Sequence, residues 1–308
     1  MPLLTFAMRK LANALVVLFA LSLLVFAILK LVPGDPALTL AGMGASAQDI
    51  ETIRKQLGLD QPVYVQFLTW IANILTGDWG ASIVSHDPVL PTLVRRMSMT
   101  ILLATAGIAI AATVGVTLGV NAALRANTAA DVGLSVIALI GISTPIFWVG
   151  LILQLYFAIK LGWLPATGSG SFAHLILPAL AIGGNSVGII MRMTRASMLD
   201  VLQQDYIRTA RAKGVPHGRL VWRHGLRNAM IPIITVVGIQ FAYLMGGAVL
   251  TETVFVWPGI GKLLADSVFR RDFPMVQGAI LAIGILFVLV NTLVDLAYSV
   301  VDPRVRLG

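Results

Sequence analysis

The chain of 308 residues has no cysteine, four histidines and only 12% charged residues. The first absence removes disulfide frameworks, thiolate metal sites and cysteine nucleophiles from consideration. The second leaves little for a metal site: His86, His174, His217 and His224 are scattered, and no carboxylate stands at ligand spacing from them. The scarcity of charge, against 57% hydrophobic residues, excludes an ordinary soluble domain, which carries about twice that charge. A phosphate loop is missing too. The tetrad Gly259-Ile260-Gly261-Lys262 lacks the full G-x-x-x-x-G-K-[ST] pattern and is followed by Leu263, so no nucleotide site of that kind belongs to this chain. Nucleophile-base pairs are equally absent, and the sequence reads as a non-enzyme with no cofactor of its own.

What the sequence does have is length of apolar run. A membrane-spanning helix needs about 20 apolar residues, and six stretches supply them: Leu11–Leu31, Thr100–Leu124, Val132–Leu161, His174–Met191, Ala229–Val256 and Val276–Val301. The first follows Arg9 and Lys10 as a signal peptide would, but its run is long and ends in Lys30-Leu31-Val32-Pro33-Gly34 without a small-residue cleavage site, so it reads as an uncleaved span. Gly115 with Gly119, and Gly184 with Gly188, stand at the spacing that lets helices approach closely.

The net charge of +8 is sorted by membrane side and does not suggest nucleic acid. Arg192, Arg195, Arg208, Arg211, Lys213, Arg219, Arg223 and Arg227 crowd one loop, against Asp200 and Asp205. That side is expected to be cytoplasmic, and Arg9, Lys10, Arg125, Arg304 and Arg306 then fall on it as well. Both termini share that side. The other side carries residues 32–99, opening with the turn Pro33-Gly34-Asp35-Pro36. A helix starting at Ser46, with Asp49 three residues on, ends near Gly58, and a second runs from Pro62 to Thr76 with Val63, Phe67, Trp70, Ile71, Ile74 and Leu75 on one face, stopped by Gly77. These read as a small external helical cap, or as two helices lying in the headgroup region.

The basic loop is the richest segment. Residues 200–228 read as a helix, a break at Gly214-Val215-Pro216, then a second helix, with Val201, Leu202, Tyr206, Leu220 and Val221 among the charges. On charge alone it is either a docking surface or a positive-inside loop touching anionic lipid. Thr209-Ala210-Arg211-Ala212-Lys213-Gly214 with His224-Gly225-Leu226-Arg227-Asn228 resembles the cytoplasmic EAA-type loop of binding-protein-dependent ABC importer permeases, in the variant of the dipeptide, oligopeptide and nickel family. Pro33-Gly-Asp-Pro36, Gly58-Leu-Asp-Gln-Pro62, Gly77-Asp-Trp-Gly80, Glu252-Thr-Val-Phe-Val-Trp-Pro-Gly259 and Asp302-Pro-Arg304 follow in family order. The long segment after the first span resembles that of the first of the family's two permeases. Arg208 stands where the general EAA pattern has its glutamate, Thr209 and Ala210 where it has its two alanines, of which only Thr209 departs, and Arg227 where it has the later proline; these departures match the peptide branch and leave no glutamate whose role could be carried over.

The resemblance implies an all-α integral membrane protein of the type I ABC importer permease fold, one permease domain over residues 1–308. Within it are an N-terminal span (1–31), an external helical segment (32–99) and a five-span core (100–301) that includes a coupling loop (197–228). It implies a prokaryotic inner membrane and a heteromer with a second homologous permease, two cytoplasmic ATPases that hold ATP and Mg, and an external substrate-binding protein. Short peptides come first as cargo, with glutathione-like peptides, nickel complexes and small oligosaccharides behind. Tyr206 to Gly214 is the expected coupling helix, with Tyr206, Arg208, Thr209, Ala210, Arg211, Lys213 and Gly214 facing an ATPase. His224, Arg227 and Asn228 are expected to brace it and to cap or anchor the fifth span. For the path the residues of interest are Pro145 and Pro232, which can bend helices, and Glu252 and Asp295, the carboxylates in apolar runs. Glu252 is expected to pair with Arg270 or Arg271 or to meet a peptide amino group; Asp295, one turn after Asn291, is expected to be interfacial. The alternatives left open are an ion-coupled secondary transporter, which predicts repeats with broken helices, and a non-transporting scaffold.

Overall fold

In a computed structural model that describes residues 3–31, 36–41, 44–56 and 58–301, the chain is helical. Pro33 to Asp35 and Asp302 to Arg304 lie outside the described residues, as does the side chain of Asp295. Helix α1 (Leu3–Leu31) is the first span. Two short helices, α2 (Pro36–Ala41) and α3 (Ala47–Gln56), follow, then α4 (Val63–Thr76). Helix α5 (Val89–Leu124) is the second span, and α6 (Ala129–Ser143) and α7 (Ile146–Leu153) are the next elements, α7 running on as a π-helical stretch to Lys160. Helix α8 (Phe172–Leu202) leads to the short α9 (Asp205–Ala212). The single turn α10 (His217–Arg219), a π-helical stretch (Leu220–Leu226) and α11 (Arg227–Val254) then make one helix, before α12 (Ile260–Phe269) and α13 (Phe273–Val301).

Glycine fixes the centre. A Cβ on Gly107 would lie 2.7 Å from Ile182, one on Gly115 3.0 Å from Ile190 and one on Gly119 2.5 Å from Thr194. Each pair is 75 residues apart, so α5 and α8 lie parallel and in register along more than three turns. Backbone approach of this kind is how helices gain packing energy where lipid removes the hydrophobic drive. The expected glycine pair of α8 is split: Gly188 receives α6, with Ala138 O 2.5 Å from its would-be Cβ, whereas Gly184 faces open space.

Parallel neighbours require an odd number of crossings between them. Helix α6 runs antiparallel to α8, shown by Asp131 with Arg195 near one end and Asn185 with Ile142 toward the middle. Helix α7 and its π-helical extension complete the return, with Gln154 reaching the Val254 carbonyl at the far end of α11. The expected third span, Val132–Leu161, is thus one crossing but not one helix: its halves meet at 101°. Proline explains the break. Pro145 excludes helical geometry at Thr144, which is extended (φ −83°, ψ 130°), and has no N–H to continue the ladder. Among the described residues, five unbroken spans and this bent one make six, and the start of α1 and the end of α13 lie at the end of the bundle that carries α9.

Other expected boundaries shift for one reason, that helices outrun the apolar segment. Helix α5 begins at Val89, eleven residues before the apolar run, and α8 continues to Leu202. The expected second cytoplasmic helix is no separate element, since residues 217–254 form one 38-residue span, about 57 Å at the usual rise. The outer segment has the expected Ser46/Asp49 start: Asp49 N–H donates to Ser46 Oγ and Ser46 N–H to Asp49 Oδ2, and bonds from Ser46 hold the Asp49 carboxyl below the usual range. Helix α4 is no self-contained cap. Its Phe67 meets Phe19 and Phe26 of α1 at 6.2 and 5.4 Å, while Val63 and Leu75, read on the same apolar face, are 60% and 82% exposed.

The α5–α8 seam gives a test. Gly119→Ala is expected to cost about 1–3 kcal/mol through overpacking and to lower the melting temperature in detergent, whereas Gly184→Ala, with nothing within 4 Å of the added carbon, is expected to leave melting unchanged. Equal melting of the two variants would contradict the packing.

Candidate functional site

The basic loop forms an outward-facing helix on a firm base. In α9 only Ile207 is buried, at 0% exposure, while Tyr206, Arg208, Thr209, Arg211, Ala212, Lys213 and Gly214 are exposed and Ala210 is half-buried. The helix closes where the sequence suggested. Val215 N–H donates to Ala210 O and Gly214 N–H to Arg211 O, with Gly214 at φ +73°, which is the paired C-terminal bonding that calls for glycine. A Cβ on Gly214 would meet nothing within 4 Å, so the space beside it belongs to solvent or to another molecule.

One side-chain contact ties α9 to the long helix: Asn228 Nδ2 donates to Tyr206 Oη at 2.8 Å, and it also donates to His224 O of its own helix at 3.0 Å. Asn228 is therefore an anchor inside a continuous helix and not the cap that the sequence also allowed. Beneath it Leu220, Val221 and Gly225 are buried, Gly225 packing against Met198 and Leu202. Val221 and Ala229 join Val120, Ala123, Met198 and Ile233 in one apolar cluster, which locks the bases of α5, α8 and α11 together. The cations remain outward. Arg208 makes only a loose 3.7 Å contact with exposed Asp205, and among the described residues Arg211, Lys213, Arg219, Arg223 and Arg227 have no carboxylate partner. Arg195 is the exception in the basic segment: it grips buried Asp131 with two bonds of 2.6 Å, fixing α6 to α8. The signal for it in the sequence is Asp131, a carboxylate placed directly before the third apolar run.

At the opposite end, Glu252 is fully buried. Its carboxylate accepts the Thr100 hydroxyl from α5 and the backbone N–H groups of Gly261 and Lys262 in the first turn of α12, with the Arg96 charge nearby. Thr100 Oγ1 in turn accepts Ile260 N–H, and the Trp257 indole donates to Met99 O. This corrects the expectation that Glu252 pairs with Arg270 or Arg271 or meets a peptide. It also explains the glycine tetrad: Gly259-Ile260-Gly261-Lys262 is an anion-binding helix N-terminus, filled by the chain's own carboxylate, and a Cβ at Gly261 would press on Glu252 and Val249. Nearby, Ser82 and the Ile83 N–H bind Asp272, securing the outer segment to the start of α13.

Of the remaining path residues, Pro145 makes the break, where a cavity of about 220 Å³ is lined by Thr144, Trp148, Gly184 and Asn185. Pro232 lies within the unbroken 217–254 helix and bends nothing sharply. Asp295 is in α13, and Asn291 bonds its own helix at Phe287 O. No group of three or more metal-ligating side chains occurs among the described residues.

The comparisons with known proteins bear on this arrangement. Residues 115–307 match the family model of the binding-protein-dependent transport system inner membrane component, and residues 3–104 match the model of the N-terminal part of such components. The chain is 45% identical over 303 residues to the glutathione transport system permease protein GsiC of Escherichia coli strain K12, covering 98% of this chain and 99% of that one. It is 44% identical over the same length to the GsiC protein of Shigella boydii serotype 4. A solved chain described as an amino acid ABC transporter with histidines has 19% identity and a TM-score of 0.49, over 68% of this chain and 93% of that one.

Glu252→Ala is expected to strand two buried amides and a hydroxyl, each worth about 1–3 kcal/mol when unpaired, and to lower the detergent melting temperature sharply. Arg270→Ala and Arg271→Ala are expected to leave it unchanged; a loss from either would restore the arginine pairing.

Proposed function

We propose a division of labour along one rod for this chain, which belongs to the binding-protein-dependent transport system inner membrane component family and is therefore the transmembrane subunit of an ABC importer of the peptide and nickel group. The ion-coupled and scaffold alternatives fall with that membership. The chain is a multi-pass protein of an inner-membrane transporter family. The family also implies a substrate-binding protein and an ATPase as partners. Beyond that, the proposal is that α9 is the helix an ATPase grips, that a second permease completes the path, that ATP and Mg are held by two cytoplasmic ATPases, and that the cargo is a short peptide of the glutathione size. The side bearing α9 and both chain ends is taken as cytoplasmic on its excess of Lys and Arg.

The observation that carries the reading is the way α9 is held. Its exposed face is one residue deep over buried Ile207, and its tether, Tyr206 to Asn228, lands on the base of the helix that runs unbroken to Glu252. A push on α9 therefore loads α11 directly. The Glu252 knot passes that load to α5 and α12 at the outer end, so closure of the ATPases biases which side of the path is open. A flexible loop could not do this. Cargo choice falls to the external binding protein, which leaves the permease to supply a path, and the near full-length likeness to glutathione permeases supports a small peptide.

Gly214→Trp places a large side chain in open space outside the fold. It is expected to abolish ATP-driven peptide uptake with chain abundance intact, while Gly214→Ala, at a cost of about 1–2 kcal/mol for its left-handed backbone, is expected to retain most uptake. Normal uptake by Gly214→Trp overturns the coupling role. On sidedness, Lys213→Cys, in a chain with no native cysteine, is expected to react with impermeant maleimide only in inside-out vesicles; reaction in right-side-out vesicles reverses the topology.

A further inference from the structure

The break between α6 and α7 leaves main-chain groups without partners part-way along the bundle, on a face where Ser143, Pro145, Phe147 and Trp148 are exposed. Thr144 N–H and its hydroxyl both go to Ile140 O, Asn185 Nδ2 takes Ile142 O at 2.8 Å, and the N–H groups of Trp148 and Val149 go to Pro145 O. Among the described residues, the carbonyls of Ser143 and Thr144 accept no hydrogen bond and the N–H groups of Ile146 and Phe147 donate none. Hydrocarbon cannot satisfy such groups, so non-helical backbone at this depth is tolerated only against protein or a water-filled space. The depth is set by α6, whose 15 residues climb about 22 Å from the end that carries α9.

The space is present. The cavity of about 220 Å³ meets a shallow open groove of about 550 Å³ through shared Thr144 and Trp148. Gly184 on α8 keeps the cavity open, with nothing within 4 Å of a Cβ added there. The chemistry on offer is two acceptors and two donors of the main chain between apolar Trp148 and Ile146. That set matches another main chain and discriminates little among side chains.

We propose that the break at Ser143–Phe147 is a binding station for the backbone of a transported peptide, the carbonyls of Ser143 and Thr144 accepting its amide N–H groups and the amides of Ile146 and Phe147 donating to its carbonyls. This deepens the peptide-importer reading and rests on it. A site that reads only backbone suits a permease whose cargo is chosen elsewhere. It holds many sequences weakly enough to release them, and it supplies in turn the polar partners that the broken span requires.

The test uses the assembled importer in proteoliposomes, with Ser143→Cys as the single cysteine of this chain and Ile137→Cys, 64% exposed on α6, as the control. The chain is isolated by its tag after labelling. ATP-driven uptake of trialanine and glutathione is measured first. A charged methanethiosulfonate is expected to label Ser143→Cys and to spare Ile137→Cys. The transported peptide is expected to slow labelling at least tenfold, and an ester analogue lacking one amide N–H is expected to protect only at about tenfold higher concentration. Gly184→Leu, which fills the cavity, is expected to keep wild-type abundance and melting while raising the uptake KM at least tenfold. Uptake of neither peptide overturns the parent reading. Uptake with Ser143→Cys unlabelled, as when the second permease covers the break, or labelled without protection, overturns the station alone. So does a normal KM in Gly184→Leu.

Discussion

The parallel contact of α5 and α8 is the constraint from which the rest of the fold follows. Three glycines of α5 admit Ile182, Ile190 and Thr194 at a constant register, which antiparallel packing could not reproduce. Once two consecutive long spans point the same way, the residues between them must climb back through the membrane beside α8. They must do so while α8 is already occupied along one side. The chain meets that demand with a shorter helix, α6, clamped at its base by Asp131 and Arg195 and capped at its top by Asn185, and then turns through 101° at Thr144-Pro145. The turn lets α7 pass under the end of α11, where Gly150 meets Phe255. The bent span is therefore a consequence of the seam, and the unpaired backbone at the bend is a consequence of the bent span.

Much of this was legible in the residues. Six apolar runs give the crossings, and the asymmetry of arginine and lysine gives their sidedness relative to one another. Gly77 and Gly214 close helices where they were read to do so, because a left-handed residue after a helix has a strong sequence preference. What stayed hidden depends on partners far apart in sequence. Hydropathy cannot see that Pro145 breaks a span while Pro232 does not; one proline follows an extended threonine at a helix end, and the other enters a helix packed on several sides. Glu252 was misread for the same reason. A carboxylate in an apolar run invites a search for arginine, but its partners are backbone amides of α12 and a threonine 152 residues away. The clue in the residues is Gly259-x-Gly261-Lys262, an anion-binding pattern that begins seven residues on and that holds a carboxylate of the chain itself.

The two ends of the 217–254 helix are built on opposite principles. At the base the joint is mainly apolar: Ile207, Leu220, Val221 and Met198 are buried side chains, joined by the Tyr206–Asn228 hydrogen bond. At the outer end the joint is polar and fully buried, with Thr100, Glu252, Gly261 and Lys262 sharing one carboxylate. Polar networks of this kind have sharp geometry, since any partial displacement strands a group in a low dielectric. Under the proposed coupling, a packed apolar joint at the base and a polar joint at the far end tie one helix to a unit made of α5, α11 and α12.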